Sequence, residues 1–168
     1  MEQLIPWLIF CITGSIFCLF RPNAARIFMG VFFIIMAVAV NMLLSIVAPE
    51  QFVRLGTDAP LVPFYAWFFE QVVVLAPPLV GIIAATGEIA VGLLILSSGM
   101  RARIGLLGAI LFLVLITPLG VWTLPNPVLA AGLAWLLTKD YPKSMLEVFR
   151  SRRRHFKATA ASRHMPLS

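Results

Sequence analysis

Long runs of apolar residues, broken by short polar or basic segments, dominate the chain. Five runs stand out, at residues 4–20, 27–48, 79–98, 104–124 and 128–138. A helix needs about twenty apolar residues to cross a bilayer, so the second, third and fourth runs predict membrane-spanning helices. The first run is near the minimum length, and the last is short but follows Pro125 and Pro127, which favour a helix start. The pattern predicts an all-α polytopic transmembrane bundle with five spans within residues 1–138.

Composition agrees with this prediction. Hydrophobic residues make up 61% of the chain and charged residues 12%, and the mean hydropathy is +0.98. Soluble domains carry about twice that share of charged residues. The chain is therefore expected to be a multi-pass protein of the cell membrane.

The basic residues predict which side of the membrane each connection occupies, because Lys and Arg are enriched in short cytoplasmic loops. Basic pairs separate the first run from the second and the third from the fourth: Arg21 with Arg26, and Arg101 with Arg103. Five crossings place both pairs and a basic tail, residues 139–168, in the cytoplasm, with the N-terminus outside. If either the first or the last run does not cross, four crossings remain and one terminus changes sides. Omitting the last run would put the basic tail outside, against the enrichment of Lys and Arg in the cytoplasm, so that run is kept as a span.

The connection between the second and third spans is too long for a simple turn and is rich in aromatic residues. Residues 63–70 have the sequence Pro-Phe-Tyr-Ala-Trp-Phe-Phe-Glu. Aromatic side chains prefer the headgroup level of the bilayer, so residues 60–76 are expected to lie at the outer interface. Interfacial anchoring is the favoured interpretation, and a lid or lateral gate for an apolar ligand is the alternative.

One carboxyl, that of Glu88, lies at the middle of the third run, which has no other charge. An ionised carboxylate in hydrocarbon costs at least roughly 2.5 kcal/mol, so the neutral acid is the expected resting form. If the second and third spans are antiparallel, Asn41 lies within about 4 to 5 Å of the depth of Glu88. A hydrogen bond from the Asn41 amide to the Glu88 carboxyl is therefore predicted. Glu88 is either a functional proton group or a neutral residue that joins two helices.

Small and polar residues recur at helical spacing along three of the runs, and such faces let helices approach closely. These faces are Gly81, Ala84, Ala85, Glu88 and Gly92; Gly30, Ala37, Asn41, Ser45 and Ala48; and Cys11, Ser15 and Cys18. The three faces are expected to meet inside the bundle. Glu88 is the candidate catalytic residue, and Asn41, Ser45 and Gly92 are the candidate ligand-binding residues.

Cysteine and histidine positions argue against metal chemistry in the spans. Cys11 and Cys18 are about 10.5 Å apart along one helix, which is too far for a disulfide. Both histidines, His155 and His164, are in the tail. No metal site and no cofactor of the chain's own are predicted.

From Arg26 to about Thr138 the chain resembles the DoxX-like family of small four-helix membrane proteins. The resemblance rests on Arg26 followed by Gly30, on Arg101 and Arg103, and on the run Gly87-Glu88-Ile89-Ala90-Val91-Gly92-Leu93-Leu94-Ile95-Leu96 with Gly99 behind it. It implies a four-helix core to which residues 4–20 add one span. The family often has a Gly and then a Lys where this chain has Ala37 and Asn41, so a counter-charge for Glu88 is absent.

Relatives in that family include a subunit of a thiosulfate:quinone oxidoreductase and membrane partners in thiol or redox-stress complexes. The resemblance implies the quinone-interacting membrane subunit of an oxidoreductase complex, with Glu88 as the intramembrane proton partner. Its electron donor would be on another subunit or a soluble substrate, because the chain has no dinucleotide-binding motif. Whether the chain is itself an enzyme stays open.

The alternative is a non-catalytic membrane scaffold or a protein that binds a lipid or small solute. Transport is the third choice, since the sequence has no evident inverted repeat. The expected partners are the lipid bilayer, a protein partner subunit and a second copy of the chain. Nucleic acid is not an expected partner of a multi-pass membrane protein.

Overall fold

The computed structural model describes residues 4–151, and every regular element in that range is helical. The α-helices are α1 (Leu4–Phe20), α2 (Pro22–Met36), α3 (Ser45–Val47), α4 (Pro49–Thr57), α5 (Pro63–Gln71), α6 (Pro77–Leu96), α7 (Gly99–Ile116) and α8 (Asn126–Leu137). A π-helical segment, Ala37–Leu44, joins α2 to α3, and short 3-10 turns follow α5 and α7. The all-α prediction is confirmed.

Within the described residues, three helices are long and apolar enough to cross a membrane. They are Pro22–Val47, Pro77–Leu96 and Gly99–Leu119, and they match the second, third and fourth predicted spans. Leu4–Phe20 and Val121–Leu137 are apolar but shorter. Large apolar side chains such as Ile83 and Leu111 are about 60% exposed on the outer surface of the bundle, which is the surface expected of a protein in contact with lipid.

Prolines set the starts of several helices and explain two elements that the hydrophobic pattern did not predict. Pro22, Pro49, Pro63 and Pro77 each lie in a first helical turn, where the missing N–H costs nothing. The residue before a proline avoids the helical region, so each proline also ends the preceding segment. The connection between the second and third predicted spans therefore contains two short helices, of which α5 lies in the predicted interfacial segment, residues 60–76, and α4 precedes it.

Five of the described helices form a closed ring, in the order α1, α2, α6, α7, α8 and back to α1. Glycines allow the closest approaches in this ring. A Cβ at Gly105 of α7 would lie only 2.5 Å from the backbone nitrogen of Ile95 in α6. A Cβ at Gly92 of α6 would lie 2.8 Å from the carbonyl oxygen of Gly30 in α2. The small faces predicted for the second and third spans therefore meet, as expected.

The small face of α1 packs mainly against α8, which corrects the expectation that all three faces meet. Ser15 Oγ donates a hydrogen bond to the carbonyl oxygen of Val128 at 2.7 Å. Gly132 of α8 lies directly against Ser15. Cys11 and Cys18 are buried and not bonded to each other, as their spacing predicts.

Arg26, near the start of α2, is fully buried. Its guanidinium donates hydrogen bonds to the carbonyl oxygens of Ile95 at 3.0 Å, of Ser97, and of Lys143 at 3.0 Å. It also lies over the ring of Tyr141, 4.6 Å from the ring centre. The carbonyls at a helix C-terminus carry partial negative charge, so the end of α6 is a suitable environment for a cation. Arg26 thus joins the start of α2, the end of α6 and the segment after α8.

The segment after α8 is fixed to the bundle around Tyr141. The Tyr141 hydroxyl donates to the carbonyl oxygen of Leu136, and the amide of Gly99 donates to the carbonyl oxygen of Tyr141, both at 2.8 Å. Burial raises the pKa of Tyr141 to about 12. The hydroxyl therefore stays protonated and remains a donor at neutral pH.

A helical stretch, residues 145–151, follows and begins with a reciprocal cap. The Ser144 amide donates to Glu147 Oε2 at 2.7 Å, and the Glu147 amide donates to Ser144 Oγ at 3.4 Å. The hydrogen bonds from Ser144 lower the pKa of the Glu147 carboxyl. The rest of the predicted basic tail, residues 152–168, lies outside the described residues.

Candidate functional site

The ring helices border a partly open cavity of about 500 Å³. All five ring helices contribute to its walls, together with α4 and the connection between α7 and α8. The lining residues are mostly aromatic or aliphatic: Pro6, Trp7, Phe10, Phe32, Phe33, Met36, Val40, Asn41, Leu55, Glu88, Phe112, Leu113, Ile116, Leu119, Trp122 and Asn126. Small-molecule sites in proteins have this volume and this mainly apolar character, with a few polar groups that orient the ligand.

Glu88 and Asn41 form the polar part of this cavity. Asn41 Nδ2 donates a hydrogen bond to Glu88 Oε2, so the predicted contact is present. Glu88 is 4% exposed. Asn41 belongs to the π-helical segment, a rare backbone form that is frequent at functional sites. The contact thus joins the irregular part of the helix Pro22–Val47 to the middle of α6.

The second oxygen of the Glu88 carboxyl, Oε1, has no hydrogen-bond partner among residues 4–151, and Glu88 lines the cavity. Because Oε2 accepts a hydrogen from Asn41, the proton of a neutral Glu88 belongs on Oε1. The neutral acid is therefore a candidate hydrogen-bond donor to a molecule bound in the cavity.

Two of the predicted ligand-binding residues lie elsewhere. Ser45 is buried between α3 and α6, where it donates to the carbonyl oxygen of Met42 at 3.0 Å and lies against Gly81. Gly92 packs against Ile34 and the backbone of Gly30. Neither is among the residues that line the cavity. Their role in the described structure is to let the two helices approach each other.

The opposite side of the ring contributes an aromatic wall. Trp7 of α1 stacks on Phe10, with ring centres 5.1 Å apart and planes 15° apart. Phe32 of α2 lies 4.6 Å from Phe10 and 6.1 Å from Trp7. The Trp7 indole N–H donates to Asn126 Oδ1 at 2.7 Å, which connects α1 to the first residue of α8.

The depth of Asn126 can be read from its contacts with α7. Asn126 Nδ2 lies 3.4 Å from the carbonyl oxygen of Leu113. Gly108 of α7 faces Val91 of the antiparallel α6, so Leu113, five residues further along α7, lies within about 3 Å of the depth of Glu88. Asn126 therefore lies at about the depth of Glu88.

Fewer helices continue from that depth toward the end of the ring where α6 and α8 start. Helix α6 extends about 16 Å from Glu88 to its start, and the helix Pro22–Val47 extends about 9 Å from Asn41 to its end. In contrast, Trp7 is only about 5 Å from the described start of α1, and α8 begins at Asn126. The cavity thus lies near the ends of α1, α7 and α8, and Leu55 and Trp122 line it from the connecting segments.

Glu88 and Asn41 were predicted from the sequence, whereas the aromatic wall and Asn126 were not. The sequence does contain a signal, because Trp7 with Phe10 and Phe28 with Phe32 are spaced three and four residues apart, which puts each pair on one helix face. For Asn126 no signal exists, since its partner Trp7 is 119 residues away along the chain.

The fold and the cavity together define a class: a helical protein, over the residues described, with three helices long and apolar enough to cross a membrane and a buried carboxyl at an apolar cavity. No family model, no curated protein and no solved structure matches the chain.

Proposed function

We propose that this chain is a DoxX-like integral protein of the cell membrane, the quinone-interacting membrane subunit of an oxidoreductase complex, with Glu88 as its proton partner. One observation carries the proposal: a nearly buried carboxyl, that of Glu88, lines an apolar cavity of about 500 Å³ and uses only Oε2 in a hydrogen bond among residues 4–151. A residue this costly to bury in a membrane is by default a functional candidate. The cavity supplies the apolar volume that a quinone ring needs.

The chemistry requires a group that can give a proton. Reduction of a quinone to a quinol takes up two electrons and two protons. The proton on Glu88 Oε1 supplies one of the two, while Asn41 holds Oε2 and so fixes the carboxyl orientation. Glu88 must then take up a proton again, and the second proton comes from water. The electrons come from a donor on a partner subunit or from a soluble reductant.

The proposal is tested by identifying the small molecules that co-purify with the full chain in mild detergent. Mass spectrometry is expected to find a quinone with the wild type and to lose it in Glu88→Leu, which removes the donor and fills part of the site. Glu70→Leu is the matched control, because Glu70 is exposed on α5 and does not line the cavity. Recovery of only phospholipid and a stable protein partner, unchanged by Glu88→Leu, would instead favour the non-catalytic scaffold.

We also propose that α1 and Val121–Leu137 are membrane segments, which gives five in all, with the N-terminus outside and the C-terminus in the cytoplasm. The basic residues at the α1–α2 and α6–α7 turns support this orientation. A tag after Ser168 is expected to react with an impermeant reagent only in opened cells, and a tag before Glu2 in intact cells. Two tags that react on the same side would contradict the odd number of crossings.

A further inference from the structure

We infer that Trp7 is a ring-stacking residue of the cavity, held in place by Asn126, and that the ligand is a flat conjugated ring rather than an acyl chain. The inference rests on the proposed function, because it presupposes a ligand beside Glu88. It names the surface against which the ring of that ligand stacks and assigns two residues to its recognition. Trp7 contacts the ligand, and Asn126 is a positioning residue.

The orientation of the Trp7 indole is fixed by its hydrogen bond. An indole N–H can only donate, so the atom of Asn126 that faces it at 2.7 Å must be the amide oxygen. Asn126 is fully buried, and its Nδ2 lies 3.4 Å from the carbonyl oxygen of Leu113. The amide therefore has one defined orientation between α7 and α1. With its N–H occupied, Trp7 offers a ligand only its aromatic surface.

The stacking geometry leaves one face of the indole without an aromatic neighbour. Phe10 and Phe32 both lie near Trp7, at 5.1 and 6.1 Å between ring centres. They are also only 4.6 Å from each other, so they cannot lie on opposite faces of the indole. Within residues 4–151, no other ring stacks on Trp7, and Trp7 lines the cavity. Its second face is thus suited to a ring from a ligand.

The polar pair Glu88 and Asn41 and the flat surface of Trp7 together indicate which kind of ligand fits the cavity. Glu88 and Asn41 provide one polar contact on the side of α6 and α2, while Trp7 provides a rigid flat surface on the side of α1 and α8. A conjugated ring with a hydrogen-bond acceptor on its edge satisfies both. An acyl chain would use neither the donor nor the flat surface, and a bulky saturated ring would lose the stacking contact.

The test compares two probes that differ in planarity but share their carbonyl groups. Binding of 2,3-dimethyl-1,4-naphthoquinone and of its fully saturated decalin-1,4-dione counterpart is measured by titration calorimetry on the full chain in detergent. We expect the wild type to bind the planar probe about three- to tenfold more tightly, the range that aromatic pairing supplies. Trp7→Leu is expected to bind the two probes equally. Asn126→Leu is expected to lose most of the preference, and Asn126→Asp, which keeps the acceptor, to retain it.

Trp135→Leu is the matched control, because Trp135 is 43% exposed on α8 and does not line the cavity. It is expected to keep the full preference. Equal binding of both probes by the wild type would overturn the inference and leave the proposed function standing, and this comparison needs no variant to fold. Binding of neither probe would overturn both. An unchanged preference in a folded Trp7→Leu protein would overturn the role of Trp7 alone.

Discussion

Glu88→Gln is expected to leave the fold and quinone binding intact while lowering the rate of quinone reduction by about 10²- to 10⁴-fold, the usual contribution of a general acid. A glutamine side chain reproduces the hydrogen bonds of the neutral acid, since its oxygen accepts from Asn41 and its NH₂ replaces the O–H on the cavity side. It cannot release a proton in the reaction. The rate is measured as quinol formation in native membranes that contain the electron donor.

The matched control is Glu70→Gln, which removes an exposed carboxyl from α5. It should reduce quinone at the wild-type rate. If Glu88→Gln lowers the yield of folded protein as much as it lowers the rate, Glu88 serves to join α6 to the π-helical segment. If the rate per folded molecule is unchanged, Glu88 is not a proton donor.

Arg26→Met is expected to lower the free energy of unfolding by about 3 to 5 kcal/mol. The change removes hydrogen bonds from a charged donor and leaves the carbonyl oxygens of Ile95, Ser97 and Lys143 without that partner. Arg26→Lys should cost less, although a single ammonium cannot reproduce the planar, forked geometry of the guanidinium. Unfolding in detergent, followed by circular dichroism against denaturant concentration, measures the difference.

Arg21→Met provides the comparison for this loss, because Arg21 is exposed at the turn between α1 and α2. Its removal is expected to change stability by less than about 0.5 kcal/mol. Equal stability of the Arg26 and Arg21 variants would show that the buried guanidinium does not hold the three segments together.

Much of the helical framework could be predicted from the sequence because a bilayer imposes a simple length requirement. The runs at residues 27–48, 79–98 and 104–124 became Pro22–Val47, Pro77–Leu96 and Gly99–Leu119. The short helices α4 and α5 were not predicted, since their apolar residues are too few for a span. The π-helical segment was not predicted either, because its side chains also fit an ordinary helix.

Only part of the site could be predicted, because helix geometry gives the depth and face of a residue but not its neighbours. A carboxyl in an uncharged run stands out at once, and the depth of Asn41 follows from helix geometry alone. Ser45 and Gly92 share the same helix faces, yet they lie in the contacts of α6 with α3 and α2 and not at the cavity. Spacing along a helix identifies a face, but it does not identify which part of that face borders open space.

The sequence by itself determined that the chain is helical, that three of its helices can cross a membrane, and that Glu88 and Asn41 lie at a common depth. These properties depend on local hydrophobicity and on the fixed rise of a helix. The tertiary structure decided the order of helices in the ring, the burial of Arg26, and the contact of Trp7 with Asn126. Those depend on which surfaces pack together across more than a hundred residues of chain, and in an apolar sequence many pairings have similar hydrophobicity. Close packing at glycines and the need to pair each buried polar group then select among them.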